Sequence, residues 1–161
     1  MLKWICCLLW LPAFLQASGQ TENPSFLDYW GSTRSEAKQK LEAYLLYYGY
    51  HGQFDETDST IDLLLRRPGT TWTGSCTFYF GRNDSCQSIT QRRCDEGAGT
   101  VLSAYLANKK AGWVQVGERS YVSRHAFRTQ LDVLQRDSCL VYRMRKLELP
   151  KAGYRALLRH P

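Results

Sequence analysis

Beyond residue 19 the chain has no apolar run long enough to cross a bilayer, and its three histidines, His51, His125 and His160, are scattered. No histidine pair at helical spacing and no Cys-x-x-Cys is present, so no metal centre is expected. Gly-x-Ser-x-Gly, a phosphate-binding loop and a dinucleotide fingerprint are missing as well, which removes the local signatures of hydrolases and nucleotide-binding enzymes. The acidic pairs Asp55-Glu56 and Asp95-Glu96 lie in polar, loop-like stretches and read as solvated charge. With no catalytic constellation left, a protein that is not an enzyme and carries no cofactor is expected.

What is present begins with "MLKWICCLLWLPAFLQASG" at residues 1–19. Lys3 precedes an apolar run from Trp4 to Leu15, and the small residues Ala17, Ser18 and Gly19 follow. That order is the layout of a secretory signal peptide, with cleavage expected after Ala17 or Gly19. The run is shorter than the roughly 20 apolar residues of a membrane span. A secreted, soluble chain is therefore expected, with residues 20–161 as one domain large enough for its own core.

Removing the leader takes Cys6 and Cys7 with it and leaves Cys76, Cys86, Cys94 and Cys139. Four cysteines in an exported chain point to two disulfides, among three possible pairings. Cys86–Cys94 would be a short-range bridge that is easy to close. Asn83-Asp84-Ser85 is an N-glycosylation acceptor, and Asn23-Pro24-Ser25 is not, because proline follows the asparagine. The formal net charge is +6, and +5 without Lys3. Basic residues cluster at Arg66-Arg67, Arg92-Arg93, Lys109-Lys110 and "RMRK" at 143–146. These clusters read first as solvated charge and, in a sharper reading, as a patch for heparin-like or nucleic-acid polyanions.

Hydrophobic patterning predicts a largely β chain. Residues 20–34 form a lead-in, and helix formers start at Ser35, although Ser35 with Lys38 lacks a full capping box. The tyrosine-leucine run "YLLYYGY" at 44–50 reads as a strand after a short helical turn, with a single helix over 35–48 as the competing assignment. Residues 55–60 read as a polar loop, and Pro68-Gly69 as a turn ending "TIDLLLRR". "TWTGSCTFYF" is the clearest strand, with Cys76, Phe78 and Phe80 on one face. Residues 81–98 read as a polar loop or hairpin end. A meander follows: "TVLSAYLAN", "GWVQVG", "RSYVSR", "AFRTQLDVLQ" and, after the turn "QRDS", "CLVYRM". The tail "LPKAGYRALLRHP" reads as a short helix. Short strands at this spacing, together with the many tyrosines, fit an antiparallel barrel or sandwich with a ring-rich core or an aromatic-lined cavity.

The stretch "LDVLQRDSCLVYRM", followed by Glu148-Leu149, and "YLLYYGY" at 44–50 resemble tick salivary lipocalins of the histamine-binding type. That family carries a late Cys-Asp-(Val/Ile/Leu), a spacer and Glu-Leu-aromatic; here Leu140 replaces the Asp, Pro150 replaces the aromatic, and no cysteine follows Cys139. The resemblance implies an all-β, lipocalin-like antiparallel β-barrel with a short N-terminal helix and a short C-terminal helix. With the family's partner cysteines missing, it implies a rerouted pairing of Cys76–Cys139 with Cys86–Cys94.

The resemblance also implies a secreted scavenger of a biogenic amine, histamine or serotonin, that suppresses host responses. Such a cation needs a buried carboxylate and ring faces. Tyr44, Tyr48, Phe78, Trp113 and Tyr142 are the candidate rings, with Asp132, and then Glu148, as the carboxylate. The expected partner is one small molecule, bound by a monomer, with neither nucleic acid nor membrane involved after cleavage. Two other readings stand beside it: a lipid-mediator-binding lipocalin, and a disulfide-stapled interaction protein acting through its surface on a host protein or polyanion.

Overall fold

A computed structural model describes residues 26–69, 73–95, 97–126 and 128–159. The leader at 1–19 lies outside them. After a 3-10 turn at Phe26–Tyr29 comes helix α1 (Arg34–Tyr48), then strands β1 (His51–Glu56), β2 (Thr60–Arg66), β3 (Thr73–Phe80) and β4 (Cys86–Arg93). Helix α2 (Ala98–Leu106) leads into β5 (Trp113–Gly117), β6 (Ser120–Ser123), β7 (Thr129–Arg136) and β8 (Cys139–Lys146), and α3 (Lys151–Arg159) is the last described element. Each half is thus a helix followed by a four-strand meander.

Helix α1 starts at a reciprocal cap. The Glu36 backbone N–H donates to Thr33 Oγ1 at 3.3 Å, and the Thr33 N–H donates to Glu36 Oε2 at 2.9 Å. The tyrosine-leucine run is the continuation of this helix, and the competing assignment over 35–48 is the one observed. Ala37, Leu41 and Leu45, spaced by four, are its buried stripe. Gly49, at φ 65°, supplies the left-handed residue that stops it. Three residues later, a Cβ at Gly52 would overlap the Leu45 side chain, so glycine lets β1 run close under the helix.

The eight strands form one antiparallel sheet in the order β1-β2-β3-β4-β8-β7-β6-β5. The all-β expectation holds in this coarse sense, with helix α2 added to the helices expected towards the two ends. The sheet is open, and β1 and β5 are its two edges. Alternation places Ile61, Leu63, Leu65, Cys76, Phe78, Ile89, Gln91, Tyr142, Met144, Leu131 and Val133 on one inner face. Helix α1 packs there, and α2 docks beside it through Tyr105 and Tyr142. Helix α3 covers the opposite, outer face near β5 and β6, where Tyr154 is buried with Val122 and Leu147. The β7–β8 connection is the expected tight turn, with Asp137 at φ 55°.

Three further segments differ from the pattern read along the chain. Asp55 and Glu56, read as the start of a polar loop, close strand β1, an edge strand in which only Phe54 is half-buried, so no apolar alternation marks it. "TVLSAYLAN" is helix α2, because its apolar residues Ala98, Val101, Leu102 and Tyr105 recur every three to four positions rather than every two. The polar stretch expected as a loop contains β4. Its inner residues include Gln91 and Arg93, both buried, so the alternation is masked by polar residues on the apolar side.

The disulfide is corrected as well. Cys94 bonds to Cys139, while Cys76 and Cys86 are buried free thiols. The β4–β8 register pairs Arg93 with Leu140, which sets the next residues, 94 and 139, opposite one another with Cα atoms 4.1 Å apart. Cys76 belongs to the inner face and Cys139 to the outer, so Cys76–Cys139 would have to pass through the sheet. Removing Cys94–Cys139, which closes a sequence separation of 45 residues, is expected to cost about 4 kcal/mol in the chain-entropy account. Urea unfolding of Cys94→Ser/Cys139→Ser measures that loss. Non-reducing peptide mapping should recover a linked Cys94–Cys139 peptide, with Cys76 and Cys86 alkylated only after denaturation.

Candidate functional site

The outer face carries a continuous polar row across six strands. In register order it runs Asp62, Thr77, Thr90, Arg143, Asp132, Ser120. The next row towards the α3 linker runs Thr60, Tyr79, Ser88, Arg145, Gln130, Val122. Period-two alternation forces this composition onto one side, because the residues between them are the inner core.

Hydrogen bonds fix several of these groups. Thr77 Oγ1 donates to Asp62 Oδ1 at 2.5 Å. Asp132 is more heavily engaged: it accepts from Ser120 Oγ at 2.7 Å and from Gln130 Nε2, and its other oxygen takes Arg145 Nε at 3.2 Å. The guanidinium of Arg145 is therefore held in one orientation by a mostly buried carboxylate.

The segment after β8 builds a wall on this floor. Leu147 N–H donates to Arg128 O at 2.6 Å, and the Tyr154 hydroxyl donates to Ser123 O and, at 3.3 Å, to Ala126 O. Between floor and wall lies an open groove of about 900 Å³. Tyr79, Ser88, Thr90, Arg143 and Arg145 form its floor, and Arg128 with Lys146–Pro150 forms the wall. Among the described residues four cations, Arg128, Arg143, Arg145 and Lys146, line it against a single carboxylate, Glu148.

The inner face carries a second polar cluster, and its role is structural. Arg93 grips Asp95 through two hydrogen bonds of 2.8 and 2.7 Å. Tyr105 donates to Gln91 Oε1 at 3.0 Å, and Tyr142 donates to Ala98 O. These bonds dock α2 onto the sheet with its buried polar groups satisfied. Burial pushes the Cys76 thiol up to about 12, with Arg93 and Gln91 only partly opposing it. It stays protonated at neutral pH and is no nucleophile there.

The residues expected to cage an amine divide between the two faces. Phe78 and Tyr142 are fully buried in the inner core, with Tyr44 and Trp113 packed against the same core. Tyr48 packs at a tilt beside Tyr44, ring centroids 4.8 Å apart. Asp132 lies on the outer face, bound to Arg145, and Glu148 is exposed on the groove wall. The rings gather on one side of the sheet and both carboxylates sit on the other. Asn83 is exposed in the β3–β4 turn, where a glycan acceptor is accessible.

Of the groove, "RMRK" at 143–146 was visible as a basic cluster. Arg128, Ser88 and Thr90 were not, because only strand pairing brings them to Arg143. No protein-family model, curated protein or solved structure matches the chain.

Asp132 is the keystone of the outer rows. Asp132→Ala removes the acceptor of three bonds and is expected to destabilise the fold by about 1–2 kcal/mol. Urea denaturation against the unsubstituted protein gives the value.

Proposed function

We propose that this chain is a secreted interaction protein, stapled by Cys94–Cys139, that holds an anionic partner on the outer face of its sheet. The observation that carries the proposal is the groove itself, where among the described residues four cations face one carboxylate. A concave site of one charge sign concentrates field and draws oppositely charged partners. Guanidinium groups add directional pairs of donors that match sulfate, phosphate or carboxylate oxygens. From Arg143 to Arg159 the chain carries six cations and only Glu148 in opposition. Lys151, Arg155 and Arg159, all exposed on α3, continue the positive surface from the end of the groove wall. The disulfide fits an oxidising compartment, in keeping with a secreted chain.

The amine scavenger and its closed barrel rest on the family resemblance. With rings and carboxylates on opposite faces, the cation cage has no single cavity to occupy, whereas the anion reading uses residues that already share one.

Retention on immobilised heparin across a salt gradient tests the proposal. The full-length protein is expected to elute at clearly higher salt than the double variant Arg143→Gln/Arg145→Gln, with both proteins folded by circular dichroism. Equal elution at low salt would reject the groove as the working surface. Histamine titrated in parallel, bound tightly and weakened by Asp132→Asn, would restore the scavenger reading.

A further inference from the structure

We infer that the anionic partner is a linear sulfated polysaccharide laid lengthwise along β8, over a line of cations that runs beyond the groove to Arg92. The inference rests on the groove being the working surface, and adds the partner's chemistry, direction and minimum length.

The line follows from strand geometry. Side chains on one face of a strand recur every second residue, about 6.7 Å apart. Arg143 and Arg145 are successive outer residues of β8. Arg92 lies opposite Val141, one step back on the same face, and its partner there is the exposed Asp137 at 3.9 Å. Arg128, whose carbonyl accepts from the Leu147 N–H, stands one step beyond Arg145, at the wall. Cations thus occupy four successive levels over about 20 Å. A single phosphate or sulfate ion would engage two of them at most; only a chain bearing anions at intervals meets them all.

The groups between the cations select among polyanions. Thr90 is paired with Arg143 and is the next outer residue after Arg92 on β4, and Ser88 is paired with Arg145. Hydroxyls and guanidinium forks suit sugar hydroxyls and sulfate oxygens. Single-stranded nucleic acid is held instead by successive aromatic platforms. Among the described residues the groove offers one exposed ring, Tyr79, since Phe80 is buried with Arg34 over its face at 5.6 Å.

The two guanidinium groups at the centre are differently prepared. Arg145 is oriented by Asp132, which leaves Arg143, though opposite Asp132 in the register, with no ion pair among the described residues. Arg143 is the cation freest to meet a sulfate directly, and Arg145 extends the line at a set angle.

Binding of the full-length protein to size-defined heparin oligosaccharides, from disaccharide to decasaccharide, tests this by fluorescence anisotropy at physiological salt. Single-stranded DNA of matched charge and inorganic sulfate serve as competitors. Affinity is expected to rise about tenfold or more with length, then level off once the line is covered. Arg92→Gln is expected to weaken the long chains about threefold, as fits one exposed charge contact, and to leave the disaccharide unchanged. Arg143→Gln should weaken every length. Length-independent affinity, or silence of Arg92→Gln on the decasaccharide while Arg143→Gln acts, overturns the lengthwise partner and leaves the groove standing. Silence of Arg143→Gln as well overturns both. DNA outcompeting heparin of equal charge overturns the polysaccharide assignment.

Discussion

The pairing of β4 with β8 is the constraint on which the rest of the structure depends. Each half of the chain could close its own meander, yet one sheet forms because these two strands meet antiparallel and Cys94 then lies opposite Cys139. The bond and the register support each other. A slip of one residue would separate the two sulfurs and turn every β8 side chain to the wrong face. Met144 and Tyr142 would then point to water, and Arg143 and Arg145 into the core.

That register also explains how one residue type serves opposite ends. Arg93 and Arg92 are neighbours on β4, and alternation sends them to different faces. The inner one is buried, and it is tolerated because Asp95 takes it in two hydrogen bonds beside the α2 start. The outer one stays in solvent and joins the cation line. The faces are specialised accordingly: rings and aliphatic groups bind the two helices on the inner side, while hydroxyls, guanidinium groups and Asp132 remain on the outer side. Helix α3 completes the outer face without closing it. Its buried Tyr154 anchors the wall at the β6–β7 connection and leaves the β4–β8 floor open.

A small amine would need a ring cage and a carboxylate on the same side of a barrel. The open sheet holds them apart, and the Asp132 charge is already spent on Arg145. The cations of the groove share the outer face with Asp132, away from the rings of the inner face.

Strands β2, β3, β7 and β8, the β7–β8 turn and the terminal helix were legible in the sequence, because each carries a clean local period or a turn residue with a mechanical role. The tyrosine-rich end of α1 was ambiguous: aromatic residues favour strands, and only the four-residue spacing of Ala37, Leu41 and Leu45 argues otherwise. Strand β4 was hidden, since Gln91 and Arg93 occupy inner positions that look solvent-exposed until Tyr105 and Asp95 are in place. The basic character of 143–146 was likewise open to inspection. The sequence by itself determined the local periods, the excess of positive charge and the set of cysteines available to pair. Tertiary structure decided which cysteines bond, which arginines are buried and which residues share a groove. These depend on register between strands separated by some 50 residues, and no local pattern contains that information.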